Sequence, residues 1–167
     1  MDNEKRYCPF CGSRLVTRHD EGVDRLWCGP EGRFVYENPI PAATALITDQ
    51  TGRFLLVLRG CEPGAGRWAL PGGFVENGET PAEAAARELE EETGLRAEGA
   101  VLVDVLHHFS DFYGTSLIII GYAFGSHEGE PVPGDDAVDA RFFEAGDLPP
   151  VAFESHRRLI ERFRDGD

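Results

Sequence analysis

Four glutamates stand almost side by side in GETPAEAAARELEEETG, the stretch from Gly78 to Gly94. On a helix, the i, i+3 and i+4 spacing places Glu88, Glu91 and Glu92 in one arc, whereas Glu90 points elsewhere. Carboxylates in one arc repel one another unless a cation lies among them, and hard oxygen ligands suit Mg²⁺ or Mn²⁺. The pattern therefore indicates a divalent cation site, with a solvated acidic helix surface as the alternative.

The same stretch contains the signals that begin and end a helix. Thr80 and Glu83 have the spacing of a capping box, and Pro81 suits the first helical position. Gly94 is a typical C-terminal stop. We expect one face of this helix to lie against a sheet, namely Ala82, Ala86 and Leu89.

The elements around this helix predict the fold class. Two β-rich runs, AATALITD and RFLLVLRG, flank a turn at residues 49–52 and predict a hairpin. The run GGFVE precedes the helix, and three strand candidates follow it: AEGAVLVDVLHHFSD, TSLIIIGYAFGSHEG and AVDARFFEAGDLP. A last helix is expected from about residue 153 to 163. This order predicts an α/β sandwich with a mixed sheet.

The segment from Gly73 to Leu95 resembles the signature of the Nudix hydrolases at every defined position. The matching residues are Gly73, Glu79, Arg87, Glu88, Leu89, Glu91, Glu92, Gly94 and Leu95. The preceding WALPG also resembles the usual lead-in to that signature. The resemblance implies a Nudix α/β/α sandwich and metal-dependent hydrolysis of a nucleoside diphosphate linked to another group.

Carried over position by position, the resemblance implies roles for individual residues. Glu88, Glu91 and Glu92 would hold Mg²⁺ or Mn²⁺, and the carbonyl of Gly72 would be a further ligand. Arg87 and Glu79 resemble the structural pair of the catalytic set.

The general base varies within the family, so its identity stays open. The candidates are Glu92 or Glu91, or a carboxylate outside the helix, of which the nearest is Asp136 in the acidic run GDDAVD. A solvated acidic turn is the alternative interpretation of that run.

Residues outside the signature could bind the substrate. Arg59 and Arg67 are candidate phosphate contacts, although either could instead pair with a nearby glutamate. Strand alternation would point one of two adjacent histidines, such as His108, into the site. Tyr113, with the phenylalanines at positions 109 and 112, could stack on adenine or pack between strands.

The sequence also bears on the choice of substrate. NADH pyrophosphatases usually show a Ser-Gln-Pro-Trp type motif, and the corresponding place here reads HHFSDFY. The resemblance also extends to Nudix enzymes of ADP-ribose and of flavin adenine dinucleotide, and it implies ADP-ribose or a related ADP-linked compound as substrate. NADH, flavin adenine dinucleotide or a non-catalytic ligand-sensing module are the alternatives.

The first residues suggest a separate metal-binding module. Cys8 and Cys11 are spaced as zinc-binding thiols, and Cys28 follows where a second pair would begin, but Glu31 replaces the fourth cysteine. The segment resembles the zinc ribbon of some Nudix enzymes, including NADH pyrophosphatases. Zinc with Glu31, His19 or water as fourth ligand, a metal-free ribbon and redox-active thiols all stay open. We expect a zinc-ribbon-like module over residues 1–37 and the Nudix domain over residues 38–167.

Composition limits the partners. The 16 basic and 30 acidic residues give a formal net charge of −14, which argues against nucleic acid and against anionic membranes. The start MDNEKRYCPFCG has no apolar signal core, so we expect a cytoplasmic protein without a membrane partner. The expected partner is a small-molecule nucleotide, and the resemblance is also compatible with a homodimer.

Overall fold

The computed structural model describes residues 5–166. The chain divides into two compact units, Met1–Pro39 and Ile40–Asp167. The domain limits expected from the sequence, residues 1–37 and 38–167, stay a prediction. Within the described part of the chain, neither helix is long and apolar enough to cross a membrane.

The first unit contains one antiparallel sheet of three strands in the order β1-β2-β3. These strands are β1 (Val16–Asp20), β2 (Val23–Cys28) and β3 (Arg33–Val35). Its core is small and consists of Cys8, Leu15, Cys28 and Val35, with Leu26 packed against them. Because two of these four buried residues are cysteines, the unit buries little hydrocarbon and depends on its thiols for much of its interior.

The second unit contains the remaining nine strands and two helices of the described chain. In chain order they are β4 (Ile40–Leu46), β5 (Phe54–Arg59), β6 (Trp68–Ala69), β7 (Gly72–Phe74), α1 (Pro81–Thr93), β8 (Arg96–Glu98), β9 (Val101–Ser110), β10 (Thr115–Ala123), β11 (Ser126–Glu128), β12 (Ala137–Phe143) and α2 (Glu154–Asp165).

The central sheet is mixed, as the sequence predicts. Its order is β7-β4-β10-β9, and β10 runs parallel to β4 but antiparallel to β9. A second sheet has the order β12-β5-β6, and β11 pairs with β8 in a third. The parallel β4–β10 pair brings the start of the second unit beside a strand more than 70 residues later, so the sheet is built from non-local contacts.

The two helices cover opposite sides of β4. Ala43 and Ala45 lie in one apolar core with Leu89 of α1, whereas Leu46 lies in another core with Leu159 of α2. Side chains alternate between the two faces of a strand, so this division places α1 and α2 on opposite faces. The arrangement is the α/β/α sandwich expected from the resemblance.

The predicted hairpin between β4 and β5 is wrong, because the two strands belong to different sheets. Only the base of the turn is paired, through a bridge between Thr48 and Phe54 and a 3.0 Å bond from the Leu55 amide to the Ile47 carbonyl. Both strands are buried on both faces, and each takes its main partners from distant parts of the chain. A turn between two apolar runs does not show which strands will pair with β4 and β5.

Helix α1 has the predicted termini but a different buried face. Thr80 and Glu83 form the capping box, and Gly94 ends the helix in the left-handed conformation. The buried residues are Ala84, Ala85, Leu89, Glu92 and Thr93. The buried face is therefore rotated relative to the predicted face, which included Ala82 and Ala86. Glu92, three residues after Leu89, lies on the buried side.

Candidate active site

A cleft of about 440 Å³ lies in the second unit. Strands β4, β7, β9 and β10 line it together with α1, the start of α2 and the loop before β12. Ten residues singled out from the sequence line it: Arg59, Gly72, Gly73, Glu88, Glu92, His108, Phe109, Phe112, Tyr113 and Asp136. The structure thus brings together residues that are up to 77 positions apart, from Arg59 to Asp136.

Glu92 is the buried carboxylate of this cleft, with 4% of its surface exposed. Its Oε2 accepts a 3.0 Å hydrogen bond from the backbone N–H of Gly72. Burial raises the pKa of Glu92 to about 8, and the nearby charges of Glu88 and Asp136 act in the same direction. The charge of Arg59 lowers this pKa, but no cationic side chain among residues 5–166 forms an ion pair with Glu92, and a bound cation would supply one.

Glu88 is held against the backbone of β7. Its Oε1 accepts a 2.8 Å bond from the guanidinium of Arg87, and burial raises its pKa despite that partner. A Cβ at Gly73 would collide with the Glu88 carboxylate. Glycine at this signature position therefore leaves the space that the carboxylate occupies.

Arg87 connects the acidic residues of the signature. Its Nε and one terminal nitrogen donate to the two oxygens of Glu79 at 3.1 and 2.8 Å. The other terminal nitrogen donates to Glu88 and, at 2.9 Å, to Glu91. Glu91 is 47% exposed at its side chain and does not line the cleft. Its roles as metal ligand and base stay predictions, as does the pairing role given to Arg87 and Glu79 in catalysis.

Two acidic residues outside α1 also line the cleft, Asp135 and Asp136. The amide of Gly134 donates to the carbonyl of Glu92 at 3.1 Å, which fixes this loop to the end of α1. The thiol of Cys61 donates to Oδ2 of Asp136 at 2.6 Å. Carboxylates from two elements therefore meet at one end of the cleft.

The donor set at this end fits a hard divalent cation. It contains the carboxylates of Glu88, Glu92 and Asp136, and repulsion of Glu92 by the other two contributes to its raised pKa. No three carboxylates within residues 5–166 have ligand atoms all within 4.8 Å of one another. A cation held here would keep water among its ligands, as Mg²⁺ usually does.

Arg59 supplies positive charge to the cleft without an acidic partner. No described carboxylate lies within ion-pair distance of it, and its Nε donates instead to the Pro63 carbonyl at 2.8 Å. Its guanidinium also lies over the ring of Phe153, 5.5 Å from the centroid. Arg67 is exposed and lies outside the cleft, so the structure does not place it as a substrate contact.

Aromatic side chains also line the cleft. Tyr113 makes edge contacts with Phe74 at 5.3 Å and with Phe112 at 5.0 Å between ring centroids. Phe109 and Phe112 are more than half exposed, so packing between strands does not account for them. This cluster offers ring faces to a planar base.

Only one of the two adjacent histidines lines the cleft, as strand alternation predicts. His108 lines it, whereas His107 is hydrogen-bonded to the hydroxyl of Ser116 at 3.0 Å. Sequence reasoning missed Thr44, Phe74, Phe153 and His156, which also line the cleft. They lie on β4, on β7 and at the start of α2, where isolated polar or aromatic residues give no motif.

The cysteine cluster lies in the first unit. Ligand atoms of Cys8, Cys11 and Cys28 lie within 4.8 Å of one another, and the last two thiols are 3.5 Å apart. Burial opposes ionisation of Cys8, but bonds from backbone amides and the other thiols outweigh it and lower its pKa. Burial raises the pKa of Cys28 to about 11. Among the described residues, neither Glu31 nor His19 joins this group.

A family profile described as the NUDIX domain matches residues 38–163, which is more than half of the chain. The chain belongs to the Nudix family. An ADP-ribose pyrophosphatase of Methanocaldococcus jannaschii is 37% identical to this Nudix chain over 129 residues, which are 77% of the chain and 75% of the relative.

Other relatives extend beyond the Nudix domain. NAD-capped RNA hydrolase NudC of Vibrio vulnificus is 28% identical over 155 residues, which are 91% of this chain and 56% of that protein. The chain thus spans about half the length of this relative. A crystal structure of a NUDIX hydrolase from Nitrosomonas europaea matches with a TM-score of 0.77 at 26% identity, covering 96% of this chain and 91% of that one. Both matches are too long to lie within residues 40–167 alone, so they include part of the first unit.

Proposed function

We propose that this protein is a Mg²⁺- or Mn²⁺-dependent pyrophosphohydrolase that cleaves a nucleoside diphosphate linked to another moiety, with ADP-ribose or a related ADP-linked compound as substrate. One observation carries the proposal. One cleft is lined both by the acidic signature residues Glu88 and Glu92 and by the aromatic cluster around Tyr113. A phosphate-binding metal site and a base-stacking surface in one cleft suit a nucleotide substrate.

Individual residues would have separate roles in metal binding and phosphate contact. Glu88 and Glu92, with the Gly72 carbonyl, would hold the cations, and Arg87 keeps Glu88 in place through its 2.8 Å bond. The cations would lower the pKa of an attacking water and neutralise charge on the phosphates. Arg59 would contact a phosphate oxygen, since its charge has no carboxylate partner among the described residues.

The general base and the adenine contact complete the proposal. A carboxylate must accept a proton from the attacking water, and Glu92, Glu91 and Asp136 are the candidates. Asp136 is a stronger candidate because it lines the cleft from a second element, the loop before β12. Phe112 and Tyr113 would stack on the adenine, and His108 would contact the phosphates or a ribose.

The choice of ADP-ribose rests on one relative and one missing motif. The 37% identical relative is an ADP-ribose pyrophosphatase, and the match covers three-quarters of that relative's length. NADH is the second candidate, because the cysteine unit resembles the zinc ribbon of NADH pyrophosphatases. The relatives named NAD-capped RNA hydrolase NudC match over parts of both units. The net charge of −14 still argues against a capped RNA as partner.

The test is a panel of ADP-ribose, NADH, flavin adenine dinucleotide and nucleoside triphosphates with Mg²⁺, read by chromatography of the products. We expect ADP-ribose to be cleaved to AMP and ribose 5-phosphate. Glu92→Gln should lower kcat by about 100-fold or more, because it removes a charged ligand while keeping the side-chain shape. Unchanged turnover in this variant would refute the metal role.

Glu90→Gln is the matched control for that experiment. Glu90 lies on the same helix, but it is exposed and bonded to Arg96 at 2.7 Å, outside the cleft. We expect it to keep wild-type turnover. A wild-type protein that binds ADP-ribose but cleaves no member of the panel would favour the ligand-sensing alternative.

We further propose that Cys8, Cys11 and Cys28 hold a structural Zn²⁺, which would make the first unit a zinc ribbon of the kind found in the resembling Nudix subgroup. Three clustered thiols are a good zinc donor set, and water would complete the tetrahedron. Elemental analysis of the purified protein should find zinc equimolar with the chain, and Cys11→Ser should reduce it. A well-folded protein without zinc would contradict this proposal.

A further inference from the structure

Two buried residues of the cleft, Thr44 and His156, are polar but incompletely paired. Thr44 has 2% of its surface exposed, and its hydroxyl has no hydrogen-bond partner in the part of the chain that the structure describes. His156 is 7% exposed, and both residues line the cleft. Buried polar groups are almost always hydrogen-bonded, so a group left unpaired beside a cleft calls for a ligand.

The neighbours of Thr44 explain why its hydroxyl has no partner. Thr44 lies between Gly72 of β7 and Gly121 of β10 in the sheet register. Neither neighbour has a side chain, and a Cβ at Gly121 would meet the side chain of Leu159. No described group pairs with the hydroxyl, and Thr44 lines the cleft, so a partner can come from a molecule bound there.

His156 is fixed as a neutral hydrogen-bond donor. Its Nδ1 accepts a 3.1 Å bond from the backbone N–H of Leu70, so the neutral ring carries its proton on Nε2. Burial lowers the pKa of His156 to about 3, with the charge of Arg59 acting in the same direction. No group among residues 5–166 accepts a hydrogen bond from Nε2.

Both side chains are tied to the segment that reaches Glu92. His156 binds the amide of Leu70, and Thr44 pairs with Gly72, whose own amide donates to Glu92. Both residues therefore lie close to the segment that carries Gly72, whose amide binds Glu92. In a bound nucleoside diphosphate this is the region of the diphosphate and of the sugar attached beyond it.

We propose that the hydroxyl of Thr44 and the Nε2–H of His156 donate hydrogen bonds to oxygen atoms of the bound substrate next to its reacting diphosphate. The acceptor is an oxygen of a phosphate or of the adjoining sugar. The inference rests on the proposed function, because it takes a phosphorylated nucleotide as the ligand. Both donors are uncharged, so they fix position and leave charge neutralisation to the metal site and Arg59.

Two substitutions at Thr44 separate binding from stability. Thr44→Val removes the hydroxyl while keeping the shape, so it should raise KM for ADP-ribose by about 3- to 10-fold, the range of one neutral hydrogen bond, with kcat nearly unchanged. Because the hydroxyl is unpaired in the free protein, the same change should leave Tm unchanged or raise it. Thr44→Ser keeps the hydroxyl and should keep KM. A Thr44→Val protein with wild-type KM overturns the proposal, and one with lowered Tm shows a structural partner instead.

Two substitutions at His156 are expected to affect substrate binding and stability in opposite ways. Asn places an amide oxygen near Nδ1, so His156→Asn keeps the bond from Leu70 but loses the donor at Nε2. Gln places an NH₂ near Nε2, so His156→Gln keeps the donor and loses that bond. We expect His156→Asn to have the higher Tm and the higher KM of the two. If His156 had only a structural role, the variant with the lower Tm would also have the higher KM. That result would overturn the proposal.

Ligand binding locates the acceptor and separates this inference from the proposed function. Calorimetry with α,β-methylene ADP and with ribose 5-phosphate, in wild type and Thr44→Val, supports the inference if either ligand binds more weakly to the variant. The weakened ligand shows which oxygen is contacted. Equal binding of both ligands to both proteins overturns it. Wild-type protein that binds α,β-methylene ADP but does not hydrolyse ADP-ribose refutes the proposed function alone.

Discussion

At the scale of single residues, Arg87 organises the acidic site. Its guanidinium contacts Glu79, Glu88 and Glu91 at once, between 2.8 and 3.1 Å. A guanidinium group is planar and has five N–H donors, so it can bind three carboxylates at once. A lysine ammonium cannot reproduce this arrangement of hydrogen bonds. One consequence is that Glu88 is held in the cleft while Glu91 is drawn outward.

Arg87→Lys should therefore lower both stability and activity. We expect a loss of about 1–3 kcal/mol in the free energy of unfolding, the range of hydrogen bonds to charged groups, measured by urea denaturation. The kcat on ADP-ribose should fall at least 10-fold, because Glu88 loses its fixed position. The control is Arg96→Lys, whose exposed pair with Glu90 is worth at most about 1 kcal/mol. Equal losses in the two variants would contradict the organising role of Arg87.

The signature predicted which acidic residues approach one another, but not which way each one turns. The resemblance implied a pair of Glu79 with Arg87, and the structure shows that pair. Helical periodicity could not separate Glu91 from Glu88 and Glu92, because all three share an arc. The separation depends on the reach of one guanidinium and on the Gly72 amide, which binds Glu92. Thr44 and His156 gave no signal, since a lone polar residue in an apolar strand or helix usually belongs to the core.

At the scale of elements, the loop before β12 completes the acidic end of the cleft by binding the C-terminus of α1. The amides of Val132 and Gly134 donate to the carbonyls of Thr93 and Glu92 at 2.8 and 3.1 Å. The last carbonyls of a helix lack partners within it, so these bonds satisfy two of them. The same loop thereby brings Asp135 and Asp136 to the cleft.

Gly134→Ala tests this attachment. A Cβ at Gly134 would lie 2.5 Å from the carbonyl oxygen of Glu91, a backbone atom that cannot rotate away. We expect a loss of about 1–3 kcal/mol in the free energy of unfolding and a fall in kcat, because the loop must move with its two aspartates. Gly146→Ala is the control, since a Cβ there meets nothing within 4 Å. Wild-type stability and kcat in Gly134→Ala would show that the close approach does not hold the loop.

The sequence predicted most elements of the second unit but not how the strands pair. Helix α1 was recognisable because its caps are local, from Thr80 to Gly94. The β4–β5 hairpin was wrong because two strands buried on both faces are equally compatible with local and distant partners. The loop that carries Asp136 looked like a solvated turn, and its place beside α1 follows from hydrogen bonds between distant backbone groups.

At the scale of the whole molecule, the two units hold different chemistry. Every residue that lines the cleft lies between positions 42 and 156, within Ile40–Asp167. The three clustered thiols lie within Met1–Pro39. In a chain of net charge −14, Arg59 gives the cleft a local positive group, so phosphate recognition depends on this residue and on bound cations rather than on the field of the molecule.

This division predicts that the second unit is sufficient for hydrolysis. It has its own apolar cores on both sides of the central sheet, and the ADP-ribose pyrophosphatase relative matches over 129 residues, about the length of that unit. A chain of residues 40–167 should therefore unfold cooperatively and keep kcat/KM for ADP-ribose within about threefold of the full chain. Zinc should be absent from it, while Mg²⁺ dependence remains. A folded but inactive truncation, judged by circular dichroism and product chromatography, would assign a part of catalysis to the cysteine unit.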